Sequence, residues 1–163
     1  MSELKSSYKI LKEQNLIVEF HSGNLDLDSF INFKKRITLD PLFVPNLNYF
    51  VHLKNVTFTP NNKTEDDVFT YSKFILNNFN VYGNRRVALI TNTPNQVVYT
   101  TIFKTMAENA NQSVDIFSRY ENAMKWLGVD LDVEKLIDVL VELKKLKEYH
   151  TLKKKTDLAN SKS

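Results

Sequence analysis

The sequence predicts an α/β fold: a mixed five-stranded sheet with helices packed on it, followed by a C-terminal amphipathic helix. Short apolar segments rich in Val, Ile and Phe alternate with longer segments in which apolar residues recur every three or four positions. Most of the longer segments also begin with a residue type that caps helices. Strands that alternate with helices of this length are joined by right-handed crossovers, which place neighbouring strands parallel.

The N-terminal part is predicted to be a β-hairpin followed by a helix. Strands over residues 8–11 and 16–20 flank a polar linker, which is typical of a hairpin. Residues 21–24 are expected to end the second strand. Asp26 can cap a first helix that runs to about Leu39, before Asp40-Pro41.

The third strand, over residues 49–56, is expected to be central. Its apolar run is nearly continuous, as in strands that are covered on both faces. Thr64 and Asp67 stand at the spacing of a capping box for a second helix, which keeps helical spacing until Gly83. A fourth buried strand follows over residues 86–90.

Two more helices and the last strand complete the predicted domain. Thr93 is expected to cap a third helix through about Ala110, with Gln96 three residues after the cap. The fifth strand covers residues 113–117. Ser118 and Glu121 then have the spacing of a capping box for a short fourth helix, which ends at Gly128.

A final helix is predicted over residues 131–150, with acidic residues near its start and lysines near its end, as the helix dipole favours. Its apolar seam is too hydrophobic to remain in water, so it packs on its own domain or pairs with a second copy. Because the preceding domain already has a helix for each crossover, we expect a homodimer. The predicted interface consists of Val133, Leu136, Leu140 and Leu143.

Three regions are therefore expected: an α/β domain over residues 1–128, the helix within 129–150, and a disordered polar tail over 151–163.

The composition excludes several classes of function. The chain has no cysteine, which excludes disulfides, thiolate nucleophiles and cysteine-based zinc sites. It begins without a signal-peptide pattern and has no apolar stretch of about 20 residues, so a cytoplasmic protein without membrane insertion is expected. A net charge of +3, with acids interleaved among the bases, does not indicate nucleic-acid binding.

Three segments carry a family resemblance: residues 50–58, residues 86–96, and residues 114–118 leading into 121–127. With the order of elements over residues 8–127, they resemble the bacterial STAS-like fold, specifically the SpoIIAA-like group, which shades into CRAL-TRIO-like domains. The resemblance implies a non-enzymatic regulatory or protein-interaction module. Its CRAL-TRIO side implies an alternative, a small-ligand or lipid-binding domain.

The resemblance also indicates where phosphorylation would occur. Anti-sigma-factor antagonists of this fold carry a phosphorylatable Ser in a turn after the third strand, whereas the corresponding residues 59–64 contain no Ser. Thr59 and Thr64 are the residues that could substitute for it. Thr64 is more simply explained as a helix cap.

Two places are candidate binding sites. His52 lies in an apolar strand, so its ring must face a cleft or be hydrogen bonded internally, and we favour the second interpretation. The turn containing Thr91, Asn92, Thr93 and Asn95 follows the carboxyl end of a strand, where α/β sheets often bind ligands. The same residues make an ordinary cap, which we also favour.

Neither a catalytic motif nor a metal-binding spacing is present, so no cofactor and no metal are expected. The minority hypothesis is an enzyme that uses His52 or a helix-start acid for proton transfer.

Overall fold

The computed structural model describes residues 3–58, 64–78, 85–108 and 112–161. Within them the strands are β1 (Lys5–Leu11), β2 (Leu16–Asn24), β3 (Asn48–Thr57), β4 (Arg85–Ile90) and β5 (Gln112–Phe117). The helices are α1 (Leu27–Thr38), α2 (Thr64–Asn78), α3 (Pro94–Ala107), α4 (Tyr120–Leu127) and α5 (Val133–Ser161).

The strands form one mixed sheet in the order β1-β2-β3-β4-β5. β1 is antiparallel to β2, and the remaining neighbours are parallel. The predicted hairpin, the five strands and the central position of β3 are therefore confirmed. A 3-10 turn at Lys12–Gln14 joins β1 to β2 and ends at Asn15, whose φ of 51° lies in the left-handed region that Asn tolerates.

Two hydrophobic cores lie on opposite faces of the sheet. Alternate residues of β3 divide between them: Tyr49 and Val51 belong to one core, and Phe50 to the other. The first face, here called the crossover face, packs against α1 and α3, with α2 beside them. The second, the C-terminal face, packs against α4 and α5.

The predicted dimer seam lies in the second core. Leu136, Leu140 and Leu143 are buried in their own chain, and Val133 is half-buried. The three leucines therefore pack within the chain and not across a dimer, whereas the assignment of Val133 stays a prediction. The reason is that right-handed crossovers between neighbouring strands place all the connecting helices on the same face. The other face then needs α4 and α5. Contacts with β1 hold α5 there: Ser7 Oγ donates to the Leu143 carbonyl oxygen at 3.0 Å.

Several boundaries differ from the predictions. β2 continues to Asn24, because Ser22, Gly23 and Asn24 still pair with β3 after a register shift between Phe20 and Ser22. α5 continues to Ser161 instead of ending near His150, because no Gly or Pro interrupts the polar segment that was expected to be disordered. No helix among the described residues is both long and apolar enough to cross a membrane.

Some of the predicted helix ends agree with the structure, and one predicted cap does not. Asp26 accepts a hydrogen bond from the Asp28 amide and caps α1 as predicted. The capping box of α4 was wrong, because the N-cap is Arg119 and no side chain caps that end. Gly128 ends α4 with φ 66°, which confirms the predicted stop.

Candidate ligand-binding cavity

A cavity lies between the crossover face and the helices α1, α2 and α3, and about 90 Å³ of it is open to the centres of water-sized molecules. Every surrounding element contributes apolar or aromatic side chains. Representative lining residues are Phe30 from α1, Leu53 and Leu89 from the sheet, Tyr71 from α2, and Phe103 from α3. On this measure one water molecule needs about 10–15 Å³, so the cavity has room for several water-sized groups. A mostly apolar lining with a few polar groups is typical of small-molecule sites.

The polar lining residues cluster at the amino-terminal ends of three strands. Tyr49 lies near the start of β3, while Arg85 and Gln112 begin β4 and β5 and face each other in register. Lys34 reaches the same region from α1. Its Nζ lies 4.7 Å from the Tyr49 ring centroid, and Arg85 Cζ lies 4.8 Å from it. The remaining charged lining residue, Asp67, is in the first turn of α2, which follows the carboxyl end of β3.

A buried charged cluster supports this polar end from behind. Glu19 is fully buried; its Oε1 accepts a hydrogen bond from Lys34 Nζ, and its Oε2 lies 2.9 Å from His21 Nε2. His21 Nδ1 lies 2.7 Å from Ser6 Oγ, and the ring stacks on Phe30. Lys34 is thereby held in one orientation at the cavity wall.

Burial and neighbouring charges act on the pKa values of the groups at this end of the cavity. Burial alone would raise the pKa of Glu19, but the Lys34 ammonium and the hydrogen bond with His21 lower it to about 2. Burial lowers the pKa of Lys34, although Glu19 opposes that effect. Burial raises the pKa of Tyr49, so its hydroxyl stays neutral and can donate. The polar end thus combines two cations, one carboxylate and neutral donors.

Two buried groups at this end have unused hydrogen-bonding capacity. Both amide atoms of the Gln112 side chain are buried without a hydrogen-bond partner among the described residues, and the buried Tyr49 hydroxyl, beside Arg85, keeps its proton to donate. The two residues are at most 5 % exposed. Because buried polar groups are nearly always hydrogen bonded, these atoms are available to a bound molecule.

His52 lies on the C-terminal face and does not line this cavity. Its Nε2 is 3.0 Å from Tyr120 Oη, and its ring stacks on Phe20 at 5.0 Å between centroids. Burial, together with the nearby charge of Lys54, lowers the pKa of His52 to about 4. The internal hydrogen bonding that the sequence favoured is present at Nε2, whereas Nδ1 is buried without a hydrogen-bond partner among the described residues.

In the 91–95 turn, many polar groups are engaged within the protein. Thr93 Oγ1 accepts from the Gln96 amide at 3.2 Å, which confirms the predicted cap of α3. Gln96 Oε1 accepts from the Asn92 amide, and Asn95 Nδ2 donates to the Phe58 carbonyl oxygen. The Thr91 amide donates to the Phe117 carbonyl oxygen. No hydrogen bond among the described residues joins His52 to this turn, and ligand binding there stays a prediction.

Thr59 and Thr64 are the two proposed phosphorylation sites. Thr59 lies outside the described residues. α2 begins at Thr64, whose side chain also lies outside them.

Sequence reasoning did not select the cavity residues, although weak signals existed. Glu19 interrupts an otherwise apolar strand, and Lys34 lies one helical turn after the inward-facing Phe30. Arg85 begins β4, at the end of the strand away from the candidate turn, and that end holds the polar part of the cavity.

Comparisons with known proteins support the fold. No protein-family model matches the sequence, and no curated protein matches it. A solved structure from Shewanella loihica PV-4, an uncharacterized protein of the DUF3478 family with a SpoIIAA-like fold, is similar with a TM-score of 0.50. The alignment has 14% sequence identity and covers 78% of this chain and 97% of that chain. The chain therefore has a SpoIIAA-like α/β fold, and at this identity the likeness is evidence about fold alone.

Proposed function

We propose that this protein is a small-ligand-binding domain that takes a largely apolar molecule into the cavity between the sheet and α1, α2 and α3. The observation that carries the proposal is this cavity between the sheet and three helices, with its mostly apolar lining. Protein interiors are normally close-packed, with few voids larger than a water molecule. Filling such a space with an apolar ligand removes apolar surface of both partners from water, which favours binding.

Binding is favoured over catalysis because the buried polar side chains behind the cavity are paired with one another within the protein. Ser6, His21 and Glu19 have the residue types of a nucleophilic triad, and their contacts are short. Glu19 is also paired with Lys34, and His21 is fully buried against Phe30. These groups hold the cavity wall, so a non-enzymatic role is proposed.

Several expectations stay predictions. They are the regulatory or protein-interaction role implied by the fold resemblance, a protein partner, the cytoplasmic location, and phosphorylation at Thr59 or Thr64. The same is true of a homodimer, which would need a surface other than Leu136, Leu140 and Leu143, since these side chains are buried.

The test is titration with the neutral fluorescent probe N-phenyl-1-naphthylamine. The unmodified protein is expected to bind it, and Leu53→Trp, which adds an indole inside the cavity, is expected to abolish binding while the protein stays folded. The matched control is Val98→Trp on α3, where the side chain is 57% exposed. Absence of binding to the folded unmodified protein, or equal binding to Leu53→Trp, would contradict the proposal.

A further inference from the structure

We propose that the cavity selects an amphipathic monoanion, a carboxylate with an apolar body, with its head group at the Lys34–Arg85 end. This inference rests on the proposed function and specifies its ligand class. Three independent features of the described residues support it: the charge balance of the polar end, its unused donors, and the length of the apolar part.

The charge balance favours a single negative charge. Lys34 and Arg85 are both buried at the polar end, and Glu19 is the buried carboxylate that lies with them. The neighbouring segments 79–84 and 109–111 contain no acidic residue. Two cations and one carboxylate give a positive potential in a low-dielectric site, where one added anion is favoured and a cationic head group is repelled.

The donors suit a carboxylate. Gln112 Nε2 is buried without a partner among the described residues, and the buried Tyr49 hydroxyl, beside Arg85, keeps its proton. Each can donate a hydrogen bond to an oxygen. An anionic acceptor makes such bonds stronger than a neutral acceptor does. A ligand that ends in a carboxylate would therefore satisfy groups that are otherwise buried at a cost.

The rest of the cavity suits an apolar body. Along β4, the distance from Arg85 to Leu89 is about 13 Å at roughly 3.3 Å per residue. Beyond the polar end, Phe58 and Tyr99 stack with ring centroids 5.4 Å apart and line the wall. A medium-length acyl chain fits this distance and this lining.

The experiment compares three ligands with the same tail: decanoate, decanol and decylamine, each displacing N-phenyl-1-naphthylamine. Decanoate is expected to bind about tenfold more tightly than decanol, and decylamine more weakly than either. Arg85→Met is expected to remove the preference for decanoate and to retain decanol binding. The matched control, Arg86→Met, should keep the preference, because Arg86 Nη1 instead donates to the Trp126 carbonyl oxygen.

A second variant keeps the inference testable if Arg85→Met does not fold. Gln112→Leu removes a donor without changing the charge and should reduce decanoate binding severalfold with little effect on decanol. Probe binding without any preference for decanoate over decanol, or with decylamine bound best, would overturn the anion inference and leave the proposed function standing. Absence of probe binding would overturn the proposed function itself.

Discussion

At the scale of single residues, the Glu19–Lys34 ion pair is the feature that couples stability to the cavity wall. Lys34→Met leaves the Glu19 carboxylate buried without its main counter-charge, so a loss of about 3–5 kcal/mol in the free energy of unfolding is expected. The double variant Glu19→Gln/Lys34→Met removes both charges and keeps an amide beside His21. It is expected to lose less than the single variant, as measured by urea denaturation. A double variant less stable than Lys34→Met would show that the pair is not coupled.

His52 should make stability depend on pH. Its pKa is lowered from the ordinary 6.5 to about 4, chiefly by burial, so between these values the unfolded chain binds more protons than the folded protein. Stability is therefore fully present above pH 6.5 and falls as the pH drops toward 4, by up to about 3 kcal/mol. His52→Gln, which cannot titrate, should flatten this part of the profile. An unchanged slope would mean that His52 is charged in the folded protein.

Whether a side-chain contact could be predicted depended on how far apart its two residues lie in the sequence. The Thr93 cap was predictable because its partner, Gln96, is three residues away and the chemistry of the pair is local. The Glu19–Lys34 pair was not, since its partners lie on different elements and meet only when α1 packs on β2. A lone charge within an apolar segment indicates a buried partner without identifying it.

At the scale of elements, α5 is expected to be part of the core. Leu136 is fully buried, so Leu136→Ala should lower the free energy of unfolding by about 2–5 kcal/mol. The neighbouring Ile137 is 42% exposed, and Ile137→Ala should cost much less. Thermal or urea denaturation of both variants measures the difference. If both cost the same, or if Leu136→Ala only changes the molecular mass in solution, α5 would act between chains.

The hydrophobic pattern predicted that α5 is a helix, but it could not predict which surface α5 packs against. The existence of α5 followed from the helical period of its leucines, but that seam would look the same against a partner or against its own sheet. The handedness of the crossovers decides between them, because it puts α1, α2 and α3 on one face and leaves the other uncovered. The rule needs the order of the strands in the sheet, which the structure gives as β1-β2-β3-β4-β5 and which was not predicted from the sequence.

At the scale of the whole molecule, the two faces of the sheet have different roles. The C-terminal face is covered by α5, which packs on β1 and β2, and by α4, which packs on β4 and β5, whereas the crossover face includes the cavity. The order of strands and helices was predictable because each element has its own periodicity. The cavity was not, since it depends on how closely three helices approach the sheet, which no local pattern encodes.

A ligand that binds only the folded state should therefore stabilise the molecule and slow exchange unevenly. At a free decanoate concentration of about 100 times its Kd, the free energy of unfolding should rise by about 2.7 kcal/mol. Amides that exchange only by global unfolding should gain this protection in every element. Amides that exchange through local openings should gain protection in α1, α2 and α3 and little in α4, which packs on the other face. Hydrogen exchange measured by mass spectrometry, with Leu53→Trp as the control that should gain no protection, tests this. Protection centred on α4 and α5 would place the ligand on the C-terminal face and contradict binding in the cavity.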